Sequence, residues 1–186
     1  MIFQFESSYA GDNIKQLFSD KTIENIRNEN ENCSYIDLMS MANGAIRPAG
    51  ASYRDELSMG IYRDNGHEAL NKFLAPTLGY LVYQEQIIEF LHSFCGYTMG
   101  EADIVRRGFA KKTGTDKFIP KIKEGFNKTM KEKYSVDEEE SNKLIENYQS
   151  WEYDLMFSNE GQRIHSMIER NQLLPITDVV TQTLPG

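Results

Sequence analysis

Apolar side chains recur at helical spacing along most of this chain, and that pattern limits what it can fold into. One stripe, within the segment 81–95, consists of Tyr83, Ile87, Phe90, Leu91 and Phe94. A second stripe, which we interpret as core, consists of Phe118, Ile122, Phe126 and Met130. Both have the period of an amphipathic helix, whereas alternating strand patterns are nearly absent. The predicted fold class is therefore all-α or nearly so.

A pair of consecutive helices is the most specific local prediction. Gly96 follows the first stripe directly, as a glycine does at the end of a helix. The sequence Thr98-Met99-Gly100-Glu101 has the pattern of a capping box, which starts a new helix. We therefore predict helices over Tyr83–Cys95 and Thr98–Ala110, joined at Gly96-Tyr97.

Helix signals elsewhere are weaker. They predict a helix near Ser7–Phe18, and a short helical turn followed by a loop over Lys21–Asn32. A further helix should begin at Ser34, with Asp37 in its first turn, and end at Asn43-Gly44. A second capping box at Ser135–Glu138 predicts a helix that continues to about Trp151.

Composition excludes several classes of protein. No apolar run approaches the ~20 residues that span a bilayer, and the N-terminus does not resemble a signal peptide. Cys33 and Cys95 are too few for a disulfide framework and are typical of free thiols in a reducing compartment. We expect a cytoplasmic protein that has no membrane partner.

Charge is distributed unevenly along the chain. The net charge is −8, which argues against a nucleic-acid-binding protein. Residues 106–133, however, hold ten Lys or Arg and three acids, a net charge of +7, so the rest carries −15. This basic stretch is either a solvated helix surface or a local field directed at an anion.

The residue types of common catalytic and metal sites do not occur at the required spacing. Glu89 and His92 form one Glu-x-x-His pair, but a di-iron bundle needs two such pairs and two more glutamates. The cysteines lack metal-ligand spacing, and we find neither a Walker-type loop nor a Gly-x-Ser-x-Gly elbow. We predict no catalytic residue and no metal ligand in this chain.

Three groups of residues nevertheless occur in a characteristic order over about thirty positions. They are Tyr83-Gln84-Glu85-Gln86, Gly96-Tyr97-Thr98, and Glu101-Ala102-Asp103-Ile104-Val105-Arg106-Arg107 followed by Ala110-Lys111-Lys112. Together they closely resemble the fingers region of bacterial C-family replicative DNA polymerases, the polymerase III alpha subunits. Upstream, Phe3-Gln4-Phe5-Glu6-Ser7 and Arg47-Pro48 also resemble that family, so the resemblance covers about Ile2 to Lys133.

Other parts of the chain depart from the family pattern. Ala49-Gly50 replaces the family's Gly-Pro, the expected Phe-Asn-x-x-His segment after Trp151 is absent, and Glu152–Gly186 matches nothing in the family. We therefore expect an irregular multi-helix fingers-type domain at 1–151 and an extension at 152–186. The chain would be a truncated, split or phage-type relative, or a segment cut from a larger gene.

The resemblance implies a role for particular residues. Arg107 is the first candidate for contact with phosphate, followed by Arg106, Lys111 and Lys112, since an arginine fork binds two phosphate oxygens at once. The alternative for Arg106 is an ion pair with Asp103. Arg47 is a further candidate for contact with the nucleotide or the template. Tyr83, Gln84 and Glu85 are predicted to be buried polar groups that position the helix carrying Arg106.

The implied function is that of a polymerase segment that contacts the incoming deoxynucleoside triphosphate and the template-primer DNA. Its partners would be the palm and thumb of the same polymerase, and magnesium would be held by palm carboxylates. This chain alone should then be inactive. Two alternatives remain: a non-enzymatic nucleic-acid- or replisome-binding protein, and a structural helical domain with a decayed site.

Overall fold

The fold is helical throughout the part of the chain that the structure describes. The computed structural model describes residues 7–46, 50, 53–111 and 115–147, without the side chains of 109–111, 115, 116 and 147. These ranges contain nine α-helices and no strand, which confirms the all-α prediction. The helices are α1 (Ser8–Leu17), α2 (Asp20–Glu29), α3 (Tyr35–Ala45), α4 (Arg54–Ser58), α5 (Glu68–Leu74), α6 (Gln84–Cys95), α7 (Met99–Lys111), α8 (Thr115–Tyr134) and α9 (Glu138–Asn147).

Helices α1 to α4 enclose the first of two apolar clusters. Helix α1 packs against α3 and α4, and Leu17, Met41 and Leu57 are almost completely buried between them. Burial of one such side chain contributes roughly 1.5–3 kcal/mol to the free energy of unfolding. Serine side chains at the starts of α1, α2 and α3 accept hydrogen bonds from backbone amides of the first turn, which fixes where these helices begin.

Helices α5 to α9 enclose the second cluster. Helix α6 packs against α7 and α8, and α8 packs against α9. Phe90 of α6 stacks on Phe126 of α8 with ring centroids 5.8 Å apart, and both side chains are buried. Met130 is also fully buried, which agrees with the prediction that this stripe forms core. This cluster therefore fixes the orientation of α7 and α8, the two helices that carry most of the basic stretch.

The segment 75–83 joins the two clusters. It begins with a 3₁₀ turn at Ala75–Thr77 and continues without regular structure to α6. Gln86 of α6 holds it in place: its Oε1 accepts hydrogen bonds from the amides of Val82 and Tyr83, both 2.9 Å away, and its Nε2 donates to Thr77 Oγ1 at 2.8 Å. One side chain thus satisfies three polar groups of the connection.

Two predictions are wrong, and the predicted end of a third helix is correct to one residue but for a different physical reason. Residues 20–29 form a ten-residue helix and not just a short helical turn, because Thr22 and Ile26 give it a buried side. Helix α3 continues through Asn43 and Gly44 to Ala45. A Cβ on Gly44 would lie 2.4 Å from Val82 Cγ1, so the glycine permits a close approach and does not end the helix.

The second wrong prediction is the capping box at Ser135. Ser135 has φ of 56° and donates its amide to Lys131 O at 3.2 Å, so it ends α8 in the left-handed conformation. Asp137 caps α9 instead, since its Oδ1 accepts from the Glu140 amide at 2.8 Å. The predicted continuation of α9 to Trp151 lies outside the described residues.

Candidate functional site

The turn between α6 and α7 is the base of the candidate site. Gly96 has φ of 74°, and the Tyr97 amide donates to Leu91 O at 3.1 Å, which closes α6. The Thr98 amide then donates to Glu101 Oε2 at 2.9 Å, and the Glu101 amide donates to Thr98 Oγ1 at 3.3 Å. This reciprocal pair is the predicted capping box, and both predicted helices are confirmed to within one residue at each end.

Arg106 is a structural clamp between α6 and α7. Its Nε and Nη2 donate to Asp103 Oδ1 at 3.1 and 2.9 Å, and its Nη1 donates to Gln84 Oε1 at 2.9 Å. Only 20% of its side chain is exposed. The ion pair with Asp103 that the sequence left as an alternative is therefore present, and a bond to the preceding helix is added to it.

Arg107 has quite different surroundings. Its guanidinium pairs with Asp103 Oδ2, the other oxygen of the same carboxylate, but 64% of its side chain is exposed. The bonds from Arg106, and after them those from Arg107, lower the pKa of Asp103 below its ordinary value. Asp103 thus stays ionised and directs two adjacent arginines differently: one into the contact between helices, one toward solvent.

The remaining predicted site residues fall into three groups. Lys112 and Arg47 lie outside the described residues, and Lys111 is described only as part of the backbone of α7. Gln84 and Glu85 are exposed, so their predicted burial is wrong, although Gln84 does contact Arg106. Tyr83 is half-buried against the first cluster, and this burial, followed by the charges of Asp37 and Cys33, raises its pKa.

Two contributions were missed by sequence reasoning. Gln86 was quoted only as part of a motif, yet it holds the segment before α6. Its position three residues into the helix, where Gln often bonds back to the helix start, was the available signal. Asp103 was considered only as a partner for Arg106. The i, i+4 spacing to Arg107 would also have predicted the second ion pair.

The described residues offer no metal site. Nowhere in these ranges do three His, Cys, Asp or Glu side chains come together in a way that could hold a metal ion. His92, the histidine of the Glu-x-x-His pair, has its Nδ1 2.7 Å from Tyr97 O and so helps to fix the turn after α6. None of the described helices combines the length and apolar character needed to cross a membrane.

Part of this helix arrangement matches a family of known proteins. The family model of the bacterial DNA polymerase III alpha subunit finger domain matches residues 51–134, which include α4 to α8. This part of the chain is therefore similar to that family of finger domains. We call residues 51–134 the finger segment. It contains Gln84, Asp103, Arg106 and Arg107, whereas the resemblance predicted upstream of residue 51 lies outside it.

Individual relatives of this chain are DNA polymerase III alpha subunits. The chain is 39% identical over 83 residues to the DNA polymerase III subunit alpha of Caulobacter vibrioides, an alignment that covers 45% of this chain. It is 46% identical over 46 residues to the Escherichia coli K12 protein of that name, covering 25% of this chain. For Borreliella burgdorferi the identity is 31% over 115 residues, or 60% of this chain. The aligned stretches span only 7%, 4% and 9% of these relatives' own length.

Proposed function

We propose that the finger segment serves a replicative DNA polymerase by presenting Arg107 to the triphosphate of the incoming nucleotide. The observation that supports this most directly is the unequal environment of the two arginines. Arg106 is engaged by Asp103 and Gln84, while Arg107 pairs with Asp103 but keeps a largely exposed side chain. An arginine held at its base by a carboxylate, with its donors open to solvent, can form bidentate bonds to phosphate oxygens.

The residues around Arg107 would act by positioning it. Gln84 and Arg106 fix α7 against α6, and Asp103 limits the directions in which Arg107 can point. Because Arg107 is already held in position, its side chain loses less conformational entropy when the nucleotide binds. Lys111 lies on the same helix and Lys112 is the next residue in the sequence, and we propose that they add positive charge for the same anion. Arg47 remains a candidate contact for the nucleotide or the template.

Chemistry would take place outside the described residues. These residues do not fit a divalent metal ion, so we assign no reaction step to them. We propose that magnesium is held by carboxylates of the palm of a complete polymerase, with which the finger segment would assemble beside template-primer DNA in the cytoplasm. The chain alone would then bind nucleotide weakly and catalyse nothing.

Nucleotide titration tests the role of Arg107. Wild type and Arg107→Ala are titrated calorimetrically with magnesium and a deoxynucleoside triphosphate, up to millimolar concentrations. We expect the variant to lose about 1–3 kcal/mol of binding, or about 5- to 150-fold in affinity, as for hydrogen bonds to charged groups. Its free energy of unfolding should change by only about 0–1 kcal/mol, because the ion pair is largely exposed.

Lys143→Ala is the matched control. Lys143 forms an i, i+4 ion pair with Glu139 at 2.8 Å and is 70% exposed, so this variant loses a similar pair on α9. It should bind the triphosphate as wild type does. If Arg107→Ala binds normally but is clearly less stable, or if wild type shows no saturable binding, Arg107 is not a nucleotide contact.

A second function has its own support. Helix α8 carries six lysines in a chain of net charge −8, which would suit a nucleic-acid-binding protein with no enzymatic role. The gene context separates the two. A flanking reading frame that encodes paired palm aspartates supports the polymerase, whereas an isolated gene supports the second function.

A further inference from the structure

Helix α8 presents a row of lysines along one side. Its six lysines are Lys117, Lys121, Lys123, Lys128, Lys131 and Lys133. At 100° per residue, four of them fall within an arc of about 80°. We call these four the lysine face: Lys117, Lys121, Lys128 and Lys131. All four are exposed. Glu124 lies on the same side and is also exposed, so the face has a net charge of +3.

The lysine face forms no close ion pair with a neighbouring carboxylate, although Lys121 lies near enough to Glu101 for its charge to help lower the pKa of that carboxyl group. Among the described residues, no carboxylate oxygen lies within 4.0 Å of any lysine amine of α8, not even that of Glu124. Cations on other helices do have such partners: Lys15 pairs with Asp12 at 3.8 Å and Lys143 with Glu139 at 2.8 Å. An ordinary solvated helix surface tends to place acids and bases in such pairs. Most of the positive charge of this face, that of Lys117, Lys128 and Lys131 above all, is therefore left for an outside anion.

The orientation of the lysine face is fixed by the core. Phe126 and Met130, on the opposite side of α8, are completely buried in the second cluster. The amine of Lys121 lies 5.0 Å from the centre of the Tyr97 ring, which holds it by a cation–π contact. Lys133, outside the face, donates to Ser93 O. Helix α8 therefore cannot rotate to turn these lysines toward the protein.

The length of the row indicates the kind of anion. Lys117 and Lys131 are fourteen residues apart, which corresponds to about 21 Å along the helix axis. A nucleoside triphosphate is too short to engage such a row, whereas a DNA strand carries a phosphate every ~3.4 Å along a duplex. No large apolar side chain is exposed on this side of α8 among the described residues, so the face offers neither a stacking platform nor an apolar surface for a protein partner.

We infer that the lysine face binds the sugar–phosphate backbone of DNA, at a surface separate from Arg107. This binding would depend on the charge of the phosphates and not on the base sequence, because lysine contacts to phosphate carry no sequence information. The inference rests on the proposed function in that it takes DNA as the polyanion. It deepens that function by adding a second contact, which holds the DNA strand while Arg107 holds the nucleotide.

Salt-dependent DNA binding by the full chain tests the inference. The probes are a mixed-sequence 20-mer duplex and its single strand, titrated at a series of salt concentrations. The test variant is Lys117→Gln, Lys121→Gln, Lys128→Gln and Lys131→Gln combined. The control combines Lys15→Gln, Lys21→Gln, Lys72→Gln and Lys143→Gln, four exposed lysines of other helices, and so changes the net charge equally.

Each phosphate contact contributes about 0.9 to the slope of log K against log salt for a duplex and about 0.7 for a single strand. On the duplex, we expect the magnitude of this slope to be smaller by about 3 to 4 in the test variant than in wild type. The control variant should bind as wild type does. Changing the base sequence of the probe should leave the affinity unchanged. Equal losses in both variants would mean a net-charge effect only. That result would overturn the inference, as would absence of wild-type binding at low salt.

The two proposals can fail separately. Arg107→Ala retains the lysine face. Its slope of log K against log salt for DNA should differ from that of wild type by no more than about 0.9, the value for one phosphate contact. The lysine-face variant retains Arg107 and should bind the triphosphate normally. Loss of nucleotide binding in the lysine-face variant would show that the two surfaces are one site, which also contradicts the inference.

Discussion

At the residue scale, one carboxylate gives two adjacent arginines different roles. Asp103 accepts from Arg106 through Oδ1 and from Arg107 through Oδ2. The i, i+3 pair could be predicted from sequence, because such neighbours share a helix surface. The bond from Arg106 to Gln84 could not, since these residues are 22 positions apart and meet only when α6 packs against α7. Local spacing therefore indicated the ion pair but not the clamp between helices.

Replacing Arg106 should destabilise the protein more than replacing Arg107. We expect Arg106→Ala to lower the free energy of unfolding by about 1.5–3 kcal/mol, because it removes charged hydrogen bonds to both helices from a mostly buried position. Arg106→Lys should not restore stability, since one amine cannot reproduce the planar fork. Urea unfolding of these variants and Arg107→Ala provides the comparison. Equal losses for Arg106→Ala and Arg107→Ala would show that Arg106 is not the clamp.

A second prediction at this scale concerns Tyr97. Its hydroxyl is buried and has no hydrogen-bond partner among the described residues, an arrangement that costs about 1–3 kcal/mol. Tyr97→Phe removes that hydroxyl and keeps the ring beneath Lys121. We expect its melting temperature to equal or exceed that of wild type. A lower melting temperature would reveal that the hydroxyl has a partner in solution.

At the element scale, the ends of helices were predicted correctly where local chemistry decides them. Gly96 ends α6 and Thr98 caps α7, because a left-handed residue and a reciprocal hydrogen-bond pair are local features. Gly44 and Ser135 misled the prediction for the opposite reason. Gly44 serves a contact with Val82, nearly forty residues later, and Ser135 ends one helix when it was expected to start the next. A glycine therefore predicts the end of a helix only where no close packing contact requires a glycine at that position.

Gly125 brings α8 unusually close to α6. A Cβ at this position would lie 2.1 Å from the carbonyl oxygen of Cys95, far below any van der Waals contact. We expect Gly125→Ala to destabilise the protein by about 1–3 kcal/mol or more, because the two helices must separate. Gly100→Ala is the control: nothing lies within 4 Å of its Cβ, so alanine should add up to about 1 kcal/mol of stability. Denaturant unfolding of both variants checks the opposite signs, and a neutral Gly125→Ala would contradict the close approach.

At the scale of the whole molecule, the two apolar clusters meet through a short connection that sequence periodicity could not describe. Segment 75–83 has no regular pattern, and its order depends on the three hydrogen bonds of Gln86. The sequence predicted the fold class and the capped pair because these depend on local pattern. The arrangement of the clusters depends on contacts between distant residues. Only the resemblance to polymerase fingers anticipated that α6 and α7 would act together.

Ionisable groups throughout the molecule predict how its stability depends on pH. Four carboxyl groups accept hydrogen bonds that lower their pKa: Asp37, Asp64, Glu101 and Asp103. A depressed pKa contributes stability that is complete above the ordinary carboxyl pKa of about 4 and is lost as pH falls through the folded-state value. Burial raises the pKa of a second group of side chains: Cys33, Tyr62, Tyr80, Tyr83, Cys95 and Tyr97.

The raised pKa values of the Cys and Tyr side chains affect stability in the alkaline range. A raised pKa contributes stability below the unfolded-state value, about 8.5 for Cys and 10 for Tyr, that is lost as pH rises through the folded-state value. We therefore expect the urea midpoint to be flat between about pH 5 and 8, and to fall on both sides. Burial raises the pKa of Tyr97 to about 12, so Tyr97→Phe should make the fall above pH 10 shallower while leaving the acid side unchanged. Stability that increased as pH dropped from 5 to 3 would contradict the assignment of the four carboxyl groups.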